Sequence, residues 1–158
     1  MGNQILDSSL RGVFIRRTNL TGQTIPGNDA STAITFDTID FDTDEFFNIT
    51  NNTRLTIPVG SGVTKILLGA AFIYGANATG KRRMLIGQNG TDKVFGQASQ
   101  TGKNTVATGG TSMSIVLPYI AVNEGDYFEL FAKQNSGSNI TTSVNVDNFP
   151  YFYLQVLN

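Results

Sequence analysis

No stretch of this chain repeats its apolar residues at the three- and four-residue spacing of a buried helical stripe. Short apolar or alternating runs recur instead, separated by clusters of Gly, Asn, Asp and Pro, and that pattern predicts an all-β sandwich or barrel. Strands are expected at 12–17 (GVFIRR), 31–36 (STAITF), 53–58 (TRLTIP), 64–75 (TKILLGAAFIYG), 81–89 (KRRMLIGQN), 93–100 (KVFGQASQ), 111–121 (TSMSIVLPYIA), 126–134 (DYFELFAKQ) and 149–157 (FPYFYLQVL). Asn89-Gly90 is a hairpin-type turn pair, and Glu124-Gly125-Asp126 sets a tight turn before Tyr127. Pro58 ends its strand because it has no N–H to give to a ladder. Residues 101–110 and 134–143 are expected to be exposed loops.

The alternation has a second message. In a sandwich with one face in water, each strand should be apolar on one side only. Along 66–74, Ile66, Leu68, Ala70, Phe72 and Tyr74 share one face, while Leu67, Gly69, Ala71 and Ile73 make an equally apolar opposite face. Met113, Ile115, Leu117 and Tyr119 share a face of the strand at 113–120. At the end of the chain, Tyr151, Tyr153 and Gln155 oppose Phe152, Leu154 and Val156. If these segments are neighbours, their sheet is covered twice, once by its partner sheet and once by something else. The simplest cover is another copy of the same chain.

A length of 158 residues suits one domain with a real core. Net charge is -1 and the pI about 5.2, so neither nucleic acid nor an anionic membrane is an expected partner. The longest apolar stretch, 66–76, is too short to span a bilayer, and the first residues do not read as a signal peptide. The chain has no Cys and no His, which removes disulfides, thiolate metal sites, Ser-His and Cys-His pairs and the commonest general base. No catalytic residues, enzymatic activity or cofactor are therefore expected.

The remaining candidates are polar. FDTIDFDTDEFF (36–47) contains Asp40, Asp42 and Asp44 in the alternation that opens a calcium loop, but Glu45 stands where the sharp-turn Gly belongs and Asn51 where the bidentate Glu belongs. Either a non-standard calcium site or a solvated connection anchored by Phe36, Phe41 and Phe46 fits this stretch. Lys81-Arg82-Arg83 and Arg16-Arg17 are expected to be solvated strand ends, with an acidic partner surface as the alternative. Asn-x-Ser/Thr sequons at Asn19, Asn48, Asn51, Asn77, Asn89 and Asn139 are expected from an Asn- and Thr-rich composition.

Five motifs in order carry a resemblance: FDTDEFFN (41–48), RLTIP (54–58), ANATG (76–80), LIGQNG (85–90) and VNEGDY (122–127), followed by the closing aromatic strand. Over residues 11–157 the chain resembles the jelly-roll modules of the tumour necrosis factor and complement globular-head superfamily, and most closely their bacteriophage virion versions. The resemblance implies a two-sheet antiparallel jelly-roll sandwich over 11–158, assembled as a threefold homotrimer. It implies an interface of Leu67, Gly69, Ala71, Ile73, Ile115, Leu117, Tyr119, Tyr151, Tyr153 and Gln155, with Met113 beside them. It implies a capsid decoration (cement) protein on the virion surface, made in the host cytoplasm. Its partners would be the major capsid protein or another virion protein. The alternative is a receptor-binding head-fibre or tail-fibre tip that contacts host glycan or protein. Residues 1–10 are expected to form an N-terminal arm, with Ile5, Leu6 and Leu10 as the capsid anchor.

Overall fold

The computed structural model describes residues 10–91, 97–101, 110–143 and 149–157. Two antiparallel sheets face each other. The larger has seven strands: β1 (Gly12–Arg16), β2 (Thr24–Ile25), β4 (Thr38–Asp42), β6 (Lys65–Tyr74), β9 (Thr111–Ala121), β11 (Ile140–Ser143) and β12 (Tyr151–Val156). The smaller has five: β3 (Thr32–Ala33), β5 (Arg54–Thr56), β7 (Lys81–Gln88), β8 (Gln97–Thr101) and β10 (Tyr127–Gln134). β6 is the hub of the larger sheet, with β12 and β11 along one edge and β9 along the other. β1 pairs with β12, so the first and last strands lie side by side inside the sheet.

The core fills the space between the sheets, on most strands with alternate residues. β12 alternates half-buried and buried residues, and so does β10. Val13, Ile15, Leu68, Phe72, Phe152 and Leu154 of the larger sheet are buried against the face carrying Leu55, Met84, Ile86, Phe128 and Leu130. Tyr74 ties the two layers together. Its buried hydroxyl lies 2.6 Å from the Arg83 carbonyl oxygen and 2.9 Å from that of Lys133, both in the smaller sheet. Burial pushes the Tyr74 phenol well above its ordinary range, so it stays a donor. Tyr74→Phe should therefore lower unfolding stability by about 1–3 kcal/mol, because buried carbonyls lose their donor. Urea titration with an unchanged m-value is the check.

Several expectations are met. Asn89 and Gly90 both have positive φ, 53° and 81°, as a two-residue hairpin turn requires. Gln88 and Thr91 close that turn with reciprocal backbone hydrogen bonds of 3.1 and 3.0 Å. Others need correction. The acidic stretch is not only a connection: Thr38–Asp42 is strand β4, paired with β1 through a register shift. Asp tolerates this position because β4 is an edge, where charge also discourages further pairing. Within 134–143, Ile140–Ser143 forms β11 and Gln134 is fully buried. The Gln134 amide donates to the Ile25 carbonyl (3.0 Å) and the Ser138 carbonyl (2.7 Å), which is why a polar residue can end a core strand. The expected strand at 31–36 shrinks to β3. Residues 102–109, most of the other expected loop, lie outside the described residues.

Candidate functional site

The outward face of the larger sheet is the most unusual surface of the molecule. Phe14 stands opposite Tyr153 in the β1–β12 register. Its ring stacks on Tyr151 at 5.4 Å and on Tyr153 at 6.0 Å, and the two tyrosine rings are 6.3 Å apart. These rings form a ridge. Beside it, β6 and β9 present small residues. Gly69 lies directly beneath Tyr153: a Cβ added there would sit 2.1 Å from the ring's Cζ. Next come Ala71, paired with Ser114, and Ile73, paired with Ser112. The result is a groove of about 400 Å³ lined by Arg16, Ala71, Ile73, Ser112, Phe149 and Tyr151. Arg16 holds Asp40 with Nε and Nη2, each at 2.5 Å, and its guanidinium lies 5.5 Å from the centre of the Phe149 ring.

The residues expected on one interface therefore divide. Leu67, Gly69, Ala71, Ile73, Tyr151, Tyr153 and Gln155 share the outward parity. Ile115 and Leu117 do not: they pack against the core, and Met113 is buried in it. The reason is register. Met113, Ile115 and Leu117 pair with the core-facing Phe72, Ala70 and Leu68, which leaves Ser112, Ser114 and Val116 outward. A register shift between Ile66 and Leu68 then changes the parity of β9, placing Ile120 in the core and Tyr119 outside it, 58% exposed. Phe14 belongs to the outward set as well, beyond the residues the resemblance implies. Its parity opposite to Val13 and Ile15 was the available signal.

The carboxylates of the calcium alternative have protein partners in this structure. Asp40 pairs with Arg16. Asp42 accepts from the backbone N–H of Phe46 (3.0 Å) and Phe47 (2.9 Å), and so caps the turn at Glu45. Asp44 pairs with Arg11 at 2.7 Å. Among the described residues no group of three or more His, Cys, Asp or Glu side chains stands together as a metal site. The Arg11 guanidinium holds the Asp44 carboxyl below the ordinary carboxylate range. A depressed folded-state pKa gives stability that is present above the unfolded value of 3.8 and is lost as pH falls through the folded value. Acid unfolding in Asp44→Asn should accordingly be less steep below about pH 4 than in the wild type, by circular dichroism against pH.

The basic runs are corrected too. Arg82 is fully buried, and its guanidinium donates to the carbonyls of Thr79 (2.6 Å) and Asn77 (2.8 Å). Arg83 pairs with Asp29, and Arg17 donates to Thr35 and to the Gly22 carbonyl. Three of the sequons turn out to be structural. Asn19, Asn48 and Asn77 each accept from both the N–H and the hydroxyl of the Thr two residues on, closing Asx turns. Residues 1–9, with Ile5 and Leu6, lie outside the described residues, while Leu10 is 59% exposed.

No family model and no curated protein matches the sequence. Solved structures do match the fold. The crystal structure of murine APRIL at pH 8.5 superposes with a TM-score of 0.63 over 93% of this chain and 99% of that one, at 8% identity. Eiger TNF from S. frugiperda matches with a TM-score of 0.61 over 94% and 93% of the two chains, at 10% identity. Murine APRIL at pH 5.0 gives 0.59 over 92% and 100%, again at 8% identity. The fold is a TNF-like jelly roll. At such identities the likeness extends to the fold alone. The TNF-like frame also gives the aromatic face its setting: it is the outer side of the sheet that holds both terminal strands.

Proposed function

We propose that this protein is a structural virion component, a homotrimeric decoration (cement) protein bound to the outside of a bacteriophage head. The observation that carries the reading is the outward face of the larger sheet, where Phe14, Tyr151 and Tyr153 stand as a ridge beside the trough of Ala71, Ile73, Ser112 and Ser114. A ridge and a trough on one face are different patches. Patches of that kind associate heterologously and close into a ring when the rotation allows. The five motifs resembling phage virion modules supply the virion part of the reading. The major capsid protein is the proposed partner, reached through residues 1–10. Three arms carrying Ile5, Leu6 and Leu10 would act together, so that weak single contacts sum to firm attachment.

Light scattering of the purified protein tests the assembly. The expected mass is three times that of the 17.0 kDa chain, and a monomer mass at micromolar concentration overturns the trimer. Electron microscopy of virions tests the location, with capsomer-like copy number on the head as the expected result. Density at the tail would move the reading to a fibre tip. Deleting residues 2–9 should leave trimer mass and melting temperature unchanged and abolish binding to undecorated heads. Wild-type binding by the truncated trimer would exclude the arm as anchor.

A further inference from the structure

A second cleft lies on the opposite side of the molecule. It has a volume of about 340 Å³ and is lined by Glu45, Asn48, Thr50, Asn51, Arg54 and Thr56, with Phe46 at its base. That volume is at the lower end of small-molecule sites, roughly 300–1,000 Å³. Arg54 and Thr56 flank the buried Leu55 on β5, so both project from the outer side of the smaller sheet.

Arg54 is held ready. Its guanidinium lies over the Tyr127 ring, 4.5 Å from the centre. With its oxygen turned toward Arg54, the Asn51 carboxamide accepts from Nε at 2.8 Å and from Nη2. Yet Arg54 forms no ion pair among the described residues. Glu129, directly opposite it in the β5–β10 register, instead accepts from the Thr53 hydroxyl at 2.7 Å. Glu45, which also lines the cleft, is exposed on a turn clamped by the Asp42 carboxylate and is likewise without an ion pair among the described residues. The Asn48 carboxamide oxygen is occupied by Thr50, which leaves its nitrogen as a donor toward the cleft.

The cleft thus sets one fixed guanidinium, amide donors, hydroxyls and one carboxylate acceptor around a space of near-zero net charge. A bare anion would gain from Arg54 but meet Glu45, and a cation the reverse. A neutral polyol satisfies both, because each hydroxyl donates to a carboxylate and accepts from a guanidinium or amide. We infer that this cleft binds a neutral saccharide, with adjacent hydroxyls bridging Arg54 and Glu45. The inference does not rest on the proposed head location, and the cleft is on the face away from the aromatic ridge.

The test is a titration of the ¹⁵N-labelled full chain with the methyl glycosides of glucose, galactose, mannose and N-acetylglucosamine, each to about 50 mM. At least one should shift resonances confined to residues 45–56 and Tyr127. Glu45→Gln and Arg54→Gln should each weaken that binding about tenfold, as expected for loss of a charge-assisted hydrogen bond. Arg54→Gln also removes the stack on Tyr127, so Glu45→Gln, at an exposed position, is the deciding variant. Three results overturn the inference: no shift with any glycoside, shifts centred elsewhere, or equal affinity in Glu45→Gln. Sodium sulfate is titrated in parallel, and shifts at Arg54 with sulfate alone would make the cleft an anion site instead.

Discussion

Phe152→Ala should lower the unfolding free energy by about 3–5 kcal/mol, the range for emptying a large aromatic site in a packed core. The ring is fully buried and stacks on Phe36 with centroids 6.0 Å apart. Phe152 pairs with Ile15 on one side and Ala70 on the other, so its surroundings are strand backbones that cannot collapse into the space left behind. Assembly would add its own stabilisation to any measurement on the wild type. The comparison is therefore cleanest between monomeric proteins, by urea unfolding at low concentration. A loss under about 1 kcal/mol would mean that the core at this point is loose, against the burial described above.

Tyr153→Asp, one residue on, should do the opposite: keep the fold and dissolve the proposed trimer. In the single chain the Tyr153 ring is half-buried, resting on Gly69 and Phe14 and supporting nothing beneath but a glycine. Replacing it uncovers strand backbone that solvent can reach, a modest change for the monomer. In the proposed trimer the same substitution brings three carboxylates into one water-poor contact with no partner charge, and unpaired burial of that kind is strongly unfavourable. Circular dichroism should be nearly that of the wild type, while light scattering falls to the mass of one chain. A variant that remains trimeric would remove this face from the interface. The pair of substitutions separates the two roles of one strand: Phe152 reports on folding and Tyr153 on association.

How much of this was legible in the sequence depends on how far each signal travels along the chain. β10 and β12 alternate cleanly over six or more residues, β6 and β7 hold long apolar runs between turn residues, and the expected strands match all four closely. β4 was hidden because Asp40 and Asp42 spoil its apolar count. Only its pairing with β1 makes it a strand, and pairing is not a local property. β11 was hidden inside Ser, Gly and Asn for the same reason. On β9, Met113, Ile115 and Leu117 do share a face, but alternation alone does not say which; their pairing with Phe72, Ala70 and Leu68 turns it to the core, and the register shift beyond Leu117 alone sends Tyr119 outward. The outward face was half visible: β6 and β12 announced it, and β1 added Phe14. The Arg54 cleft was invisible, since Tyr127 reaches Arg54 only through the β5–β10 ladder.

The pairing of β1 with β12 also dictates when this protein can exist. β1 is synthesised long before β12, its partner on one side. β6, the hub, must likewise wait for β9, β11 and β12. The larger sheet cannot close until β12 has been made, and a topology with such distant partners folds slowly. Until then, Val13, Phe14 and Ile15 have no β12 to lie against, and crowded nascent chains could pair with one another instead. Yield should therefore depend on the rate of synthesis, with slower, cooler expression giving more soluble protein from the same message.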